Sequence, residues 1–281
     1  MICQWQELLN ILPGWLKSDV DKFGKQEMQE LRLRLHTPPE IVTNDHSVWL
    51  NGEVSSDDLN FCLNTATRYS PWTSSTIQEG FVTAIGGHRI GICGECVYEN
   101  NRLRNISPIS SICIRVARNI SDISKDVYQR NGSVLIIGRP GSGKTTFLRD
   151  LIHKTSENAH GSVAVIDERR ELFPFDIRGY TFPKGVHTDV LSGCKKRTGM
   201  EMALRTLNPY VIAVDEITGE EDCLALLNAA WCGVRLFATA HAGSHRDLLD
   251  RKVYQSLMNA KLFDTLIILQ PDKTWKEVTL P

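Results

Sequence analysis

Residues 138 to 146, Gly138-Arg139-Pro140-Gly141-Ser142-Gly143-Lys144-Thr145-Thr146, fit the pattern G-x-x-x-x-G-K-[ST], which works only between a buried strand and the start of a helix. Both neighbours are present. Ser133 to Ile137 read as the strand, and Phe147 to Ile152 continue as an amphipathic helix. Glycines at 138, 141 and 143 let the backbone turn successive N–H groups toward a polyphosphate, where a Cβ would obstruct them. Lys144 can then reach the β- and γ-phosphates of ATP. The Thr145 hydroxyl is placed to ligate Mg²⁺, and the helix beginning there turns its positive dipole end to the anion. By itself the loop leaves kinases, GTPases and motors equally open.

The strands that follow narrow the choice. From Gly132 onward strands alternate with helices, which predicts an α/β domain with a mainly parallel sheet wrapped by helices. Strands are expected at 133–137, 162–166, 211–214, 235–239 and 264–269. Val211 to Val214 is an apolar strand ending in Asp215 and Glu216, as ATP hydrolysis requires on the strand beside the nucleotide. Asp215 is placed to hold Mg²⁺ through water and Glu216 to polarise the attacking water. A second strand, Val163 to Ile166, ends in Asp167 and Glu168, followed by Arg169, Arg170 and Glu171. Both acidic tips are expected to converge on the γ-phosphate and metal, because such sheets present ligand-facing residues at their carboxyl ends. The strand at 235–239 brings Thr239-Ala240-His241 to the same edge, where His241 either senses the γ-phosphate or is a packed imidazole. Cys223, Leu224, Leu227 and Trp231 mark one helical face; Leu248, Leu249, Val253 and Leu257 mark another, with Ser244 and Asp247 placed to cap it.

Ahead of the loop the pattern is α+β. Trp5, Leu8, Leu9 and Leu12 lie at helical spacing before the stop Pro13-Gly14. Leu31, Leu33 and Leu35 alternate with Arg32 and Arg34 as in a half-buried strand. Val48 to Val54 read as a tight hairpin around Asn51-Gly52. Leu59, Cys62, Leu63 and Ala66 return to helical spacing. Short strands are expected over 77–98, folded at Gly86-Gly87, and Ile112, Ile114 and Val116 alternate again. A polar stretch from Asn119 to Gly132 marks a boundary, giving a smaller N-terminal α+β domain at 1–122 and the nucleotide domain at 123–281.

The chain has 281 residues and a formal net charge of −1, so no polyanion such as DNA is indicated as the main partner. Its first residues lack a basic leader and no run of about 18 apolar residues occurs, which predicts no signal peptide and no membrane span. Eight cysteines scattered through a nucleotide-binding chain predict reduced thiols in a cytosol. Cys93-Gly94-Glu95-Cys96 has the spacing of half a zinc knuckle without a second pair, and a plain turn competes with that reading.

Taken in order, Gly138 to Thr146, Ile166 to Glu171, Leu204 to Ile217 and Gly233 to His241 resemble the Walker A, Asp box, Walker B and His box of type II and type IV secretion and pilus ATPases. Leu31-Arg32-Leu33-Arg34 before Pro38-Pro39, and Gly87-His88-Arg89-Ile90, are similar to the N-terminal domain of that family. The resemblance implies a RecA-like P-loop ATPase domain, catalytic roles for Lys144, Glu216 and His241, and a homo-oligomeric, hexameric ring docked on a membrane-embedded partner. The short chain and the stretch Thr188 to Cys194 resemble a sporulation branch, implying an ATPase on the mother-cell side of a channel to the forespore. In the family, arginines of the N-terminal domain reach the nucleotide, and Arg89 and Arg115 occupy strand positions suited to this. The chain departs from the larger members in three ways: Asp215 stands where they have Gly, Asp167-Glu168 reverses their Glu-Asp, and a four-cysteine zinc module is absent. Glu216 is the expected base, with Glu168 assisting. A nucleic-acid motor, with Lys195-Lys196-Arg197 as a basic contact, and a nucleotide-gated scaffold are the competing readings.

Overall fold

The computed structural model describes residues 1–68, 80–158, 161–176 and 179–280. They form two compact units, Met1–Arg118 and Asn119–Pro281.

In the first unit, helix α1 (Trp5–Asn10) is followed at once by α2 (Gly14–Phe23). Pro13 both ends the one and starts the other, because its fixed φ and missing N–H suit a helix entrance. Leu8, Leu9, Leu12, Leu16 and Val20 are all buried in one core. Strand β1 (Glu30–Arg34) alternates as its sequence predicts: Leu31 and Leu33 are buried, while Arg32 pairs with Glu30 at 2.8 Å and Arg34 with Glu40 at 2.7 Å. The hairpin expected around Asn51-Gly52 does not form. Strand β3 (Ser47–Trp49) instead folds back on β2 (Glu40–Val42), Ile41 opposite Val48. Thr43 makes that earlier turn, its Oγ1 accepting from Asp45 N at 3.3 Å and His46 N at 3.1 Å. Val54 then runs inward, bonded through its backbone to His36 and Thr37.

Helix α3 (Ser56–Thr67) buries the expected Leu59, Cys62, Leu63 and Ala66 behind a reciprocal Ser55–Asp58 cap. Of the strands expected over 77–98, residues 77–79 lie outside the described residues. The rest are β4 (Phe81–Thr83) and β5 (Arg89–Glu99), and β6 (Arg102–Arg115) follows. The six-stranded sheet runs β3-β2-β1-β6-β5-β4. His88 is fully buried at its edge; one ring nitrogen meets Gln4 O at 3.0 Å and the other accepts from Ala117 N at 3.2 Å. Cys93 and Cys96 are exposed free thiols on β5. Among the described residues, no group of three or more His, Cys, Asp or Glu is arranged to hold a metal ion.

The second unit is built on β7 (Val134–Ile137), β8 (Val163–Asp167), a short hairpin β9 (Phe175–Asp176) and β10 (Gly179–Tyr180), β11 (Thr188–Ser192), β12 (Val211–Ile217), β13 (Arg235–Ala240), β14 (Thr265–Leu269) and β15 (Trp275–Thr279). The main sheet runs β11-β8-β12-β13-β7-β14-β15, parallel except for the last strand. The five expected strands are present. The two edge strands, β11 and β15, carry too many polar residues to stand out by composition and are added by pairing with their neighbours. Helix α4 (Lys144–Asn158) follows the phosphate loop, and α5 (Lys196–Thr206), α6 (Glu220–Trp231), α7 (His245–Asp250) and α8 (Lys252–Asn259) complete the unit.

The face expected on α6 is corrected by packing. Cys223, Ala225, Leu226, Leu227 and Ala229 are buried, whereas Leu224 and Trp231 are 59 % and 79 % exposed. Ala225, Leu226 and Ala229 thus lie on the buried side, in place of the expected Leu224 and Trp231. The helix expected over 248–257 is two, broken at Arg251, and Leu249 is exposed; Ser244 caps the first as expected, accepting from Asp247 N. No helix among the described residues is long and apolar enough to cross a membrane.

Candidate functional site

The site gathers at the carboxyl ends of β7, β12 and β13. β13 lies between β12 and β7, so Asp215 and Glu216 are one strand further from the phosphate loop than their sequence context predicts. The almost wholly buried β13 pairs on both sides and takes the central place.

Within the loop Gly141 and Gly143 hold φ of +74° and +100°, the left-handed region that glycine enters without strain, and a Cβ on either would stand in open space. At Gly138 the constraint is room, since a Cβ would lie 2.4 Å from Ser142 Oγ and 3.1 Å from Leu269 Cβ. Ser142 Oγ itself is buried with no hydrogen-bond partner within the protein, a donor that a phosphate oxygen would satisfy. Lys144 Nζ donates to Gly138 O at 2.8 Å and Arg139 O at 3.0 Å, and meets His241 Nδ1 at 3.1 Å. Burial pushes the Lys144 pKa down against the pull of Asp215 and Glu216. Burial, then the Lys144 charge, also push His241 below its ordinary value. Its Nδ1 is therefore the bare acceptor facing the ammonium, and Nε2 carries the proton toward Glu216 Oε1 at 3.3 Å.

Asp215 sits between two hydroxyls. Thr145 Oγ1 donates to its Oδ2 at 2.8 Å and Thr239 Oγ1 to its Oδ1 at 2.5 Å. Thr239 Oγ1 also accepts from Glu216 N at 2.8 Å. Glu216 has φ of +53°, where the β12–β13 register breaks between Val214 and Ile217. For a non-glycine residue this conformation costs about 1–2 kcal/mol, and the Thr239 bond helps to hold it. The Glu216 carboxylate is engaged by Arg169 Nη1 and by His241. A continuous path thus runs from Lys144 through His241 and Glu216 to Arg169. Thr145 and Asp215 offer only oxygen donors, which suits a hard cation such as Mg²⁺.

At the other acidic tip both carboxylates are held by partners outside the phosphate loop. Asp167 is buried and turned into its own loop, accepting from Glu171 N and Phe173 N, each at 2.9 Å. Burial pushes its carboxyl up to about 6. Arg149 of α4 seals the same loop, donating to Leu172 O at 2.6 Å and Glu171 O at 2.8 Å and lying 4.2 Å over the Phe182 ring; burial pushes it down to about 10. Glu168, expected to assist Glu216, is bonded to Lys196 Nζ at 2.6 Å. These two buried cations need anions and carbonyls around them, and between them they hold Glu168, Glu171 and Leu172.

Arg89 and Arg115 are register partners across β5 and β6. Arg89 lies 3.8 Å over the Phe81 ring and Arg115 Nε donates to Glu30 Oε1 at 3.2 Å, so each is engaged within the first unit. Two further residues of the network were given no role in it by the sequence: Arg169, which lies within the Asp-box stretch, and Lys196. Lys196 was legible all the same, since with Gly199, Met200 and Ala203 it completes the buried i, i+3, i+4, i+7 face of α5. The basic run Lys195-Lys196-Arg197 accordingly loses its centre as a contact surface.

The profile of the family described as Sporulation stage III, protein AA matches residues 4–279. Stage III sporulation protein AA of Bacillus subtilis (strain 168) is 33 % identical over 95 % of this chain and 91 % of its own length. An uncharacterized protein ycf45 of Porphyra purpurea is 26 % identical over 93 % of this chain, which spans 45 % of that protein. Among solved structures, the ATPase DotB of Legionella pneumophila superposes with a TM-score of 0.58 at 18 % identity, covering 89 % of this chain and 75 % of its own. The pilus retraction motor PilT with bound ADP gives 0.58 at 16 % identity, covering 89 % and 76 %. These likenesses establish the RecA-like ATPase fold.

Proposed function

The chain belongs to the sporulation stage III protein AA family, and on that premise we propose that it binds ATP with Mg²⁺ and hydrolyses it to ADP and phosphate. One observation carries the reading: the hydrogen-bonded path Lys144–His241–Glu216–Arg169, with Asp215 between Thr145 and Thr239, at the mouth of a glycine-lined loop. The loop from Gly138 to Thr146 cradles the phosphates through its N–H groups and Ser142. Lys144 exchanges the carbonyls of Gly138 and Arg139 for β- and γ-phosphate oxygens. Thr145 and Asp215 are the residues that would hold Mg²⁺, which when bound neutralises charge on those oxygens. Glu216, with its backbone fixed by Thr239, polarises the attacking water, and His241 couples that carboxylate to Lys144.

We place this ATPase as a ring, hexameric in number, on the cytoplasmic mother-cell side of a channel or secretion-like complex that serves the forespore. The family description and the secretion and pilus motors of like fold support that setting. With no membrane-crossing helix among the described residues, attachment runs through a membrane-embedded partner. A net charge of −1 and the inward Lys196 argue against a nucleic-acid partner.

The test is phosphate release by the purified chain over a range of protein concentrations, with Lys144→Ala and Glu216→Gln alongside. Both variants are expected to lose at least about 100-fold in turnover, and Glu216→Gln to retain ATP and assemble with it. Turnover indifferent to both substitutions refutes the proposal.

A further inference from the structure

Lys196 is a cation with almost no exposure, a state a lysine adopts only when its charge is paired. It is the first residue of α5, and it reaches two carboxylates on two other elements. Its Nζ lies 2.6 Å from Glu168 Oε2 at the tip of β8 and 3.4 Å from Asp222 Oδ2 in the first turn of α6. Asp222 Oδ2 in turn accepts from Thr218 N and Thr218 Oγ1, both at 2.9 Å. Thr218 stands two residues beyond Glu216, and Arg169, next to Glu168, is bonded to the Glu216 carboxylate. One buried ammonium therefore tethers both chain segments that bracket Glu216: 168–169 on the side of its carboxylate and 217–218 on the side of its backbone. Glu216 needs such tethering because its left-handed φ lies within a strand.

We propose that Lys196 is a positioning residue for Glu216, acting through Glu168 and Asp222, and that Glu168 serves as the anion that keeps Lys196 in place rather than as a second base. The proposal rests on the ATPase reading for its effect on turnover but not for its effect on structure. Removing the ammonium leaves two carboxylates without the charge between them. Each then turns toward water, and the segments at 168–169 and 217–218 move with them. A misplacement of about 1 Å at a catalytic group costs on the order of 100-fold in rate.

The experiment compares Lys196→Met, Lys196→Met with Glu168→Gln, and the exposed neighbour Lys195→Met, reading amide hydrogen exchange over residues 216–218 and steady-state turnover together. Lys196→Met is expected to speed exchange at Glu216 and Thr218 by about tenfold or more and to lower kcat by about 30- to 100-fold. Affinity for ADP should stay within about threefold, because the phosphate loop is untouched. The double variant should regain thermal stability, since the unpaired Glu168 charge is gone, yet not kcat, since Lys196 no longer steadies the segments around Glu216. Lys195→Met should change neither reading. Unaltered exchange at 216–218 in Lys196→Met overturns the proposal whether or not the chain hydrolyses ATP, as does a double variant with restored kcat. Faster exchange in a protein whose parent shows no Lys144-dependent turnover upholds the positioning and removes the ATPase reading instead.

Discussion

Replacing Thr239 by valine keeps the shape of the side chain and removes one oxygen, so it isolates what that hydroxyl does. Thr239 is buried at the end of β13, donates to Asp215 Oδ1 at 2.5 Å and accepts from Glu216 N at 2.8 Å. A hydrogen bond to a charged acceptor contributes about 1.5–3 kcal/mol, and a buried amide left without its acceptor costs about 1–3 kcal/mol. The added methyl group regains part of that through burial, roughly 0.8 kcal/mol. A net loss of about 3 kcal/mol is expected, all of it in the second unit. For a domain of this size each kcal/mol lowers the melting temperature by about 2–4 °C, which puts the shift near 6–12 °C. Thr239→Ser retains donor and acceptor and should recover most of it. Function should suffer too, because Asp215 and Glu216 lose their common anchor; a fall in kcat on the order of 100-fold is expected. The assay is a thermal scan of parent, Thr239→Val and Thr239→Ser, with turnover measured on the same preparations. Equal melting of the valine variant and the parent, or equal damage from serine and valine, would show that the bridge contributes little.

Three more outcomes follow from the same geometry. His88 is pushed down to about 4, chiefly by burial, so below an unfolded value near 6.5 the unfolded chain binds the extra proton first. Stability of the first unit is then full above pH 6.5 and falls by about 3 kcal/mol as pH drops to 4, and urea titrations of His88→Gln should lack this slope between pH 6.5 and 5. Asp150 accepts from Asp122 N at 3.0 Å, Ser124 N at 2.8 Å and Ser124 Oγ at 2.6 Å, so Asp150→Ala should free residues 119–125 and quicken their cleavage in limited proteolysis. Gly138→Ala brings a Cβ to 2.4 Å from Ser142 Oγ and should weaken ADP binding by at least about tenfold; calorimetric titration would show it.

Local chemistry was legible where a residue answers to its own neighbours in the chain. The loop from Gly138 to Thr146, the alternation of Leu31 and Leu33, and the helical spacing of Leu59, Cys62, Leu63 and Ala66 each state their structure within a dozen residues. The hairpin at Asn51-Gly52 was misleading for the same reason. A favourable turn dipeptide is a local preference, and β3 found a better partner in β2, where Val48 joins Ile41 in register. On α6 Ala225, Leu226 and Ala229 are buried while Leu224 and Trp231 are exposed, a choice that depends on the packing around the helix.

The sequence alone thus determined that this chain carries a phosphate loop, a second acidic strand-end pair beside the first, and an α/β fold to hold them, because these follow from glycine stereochemistry and from the period of apolar residues. Only the tertiary structure decided which acids are bonded to the loop's own residues. Asp167 and Asp215 both end apolar strands, yet one is buried among backbone amides and the other stands between Thr145 and Thr239. The difference lies in the partners each carboxylate meets, amides of its own loop for Asp167 and hydroxyls from α4 and β13 for Asp215, and packing sets those partners. Along the chain the two acid-tipped strands look alike, and no local pattern records which partners each will meet.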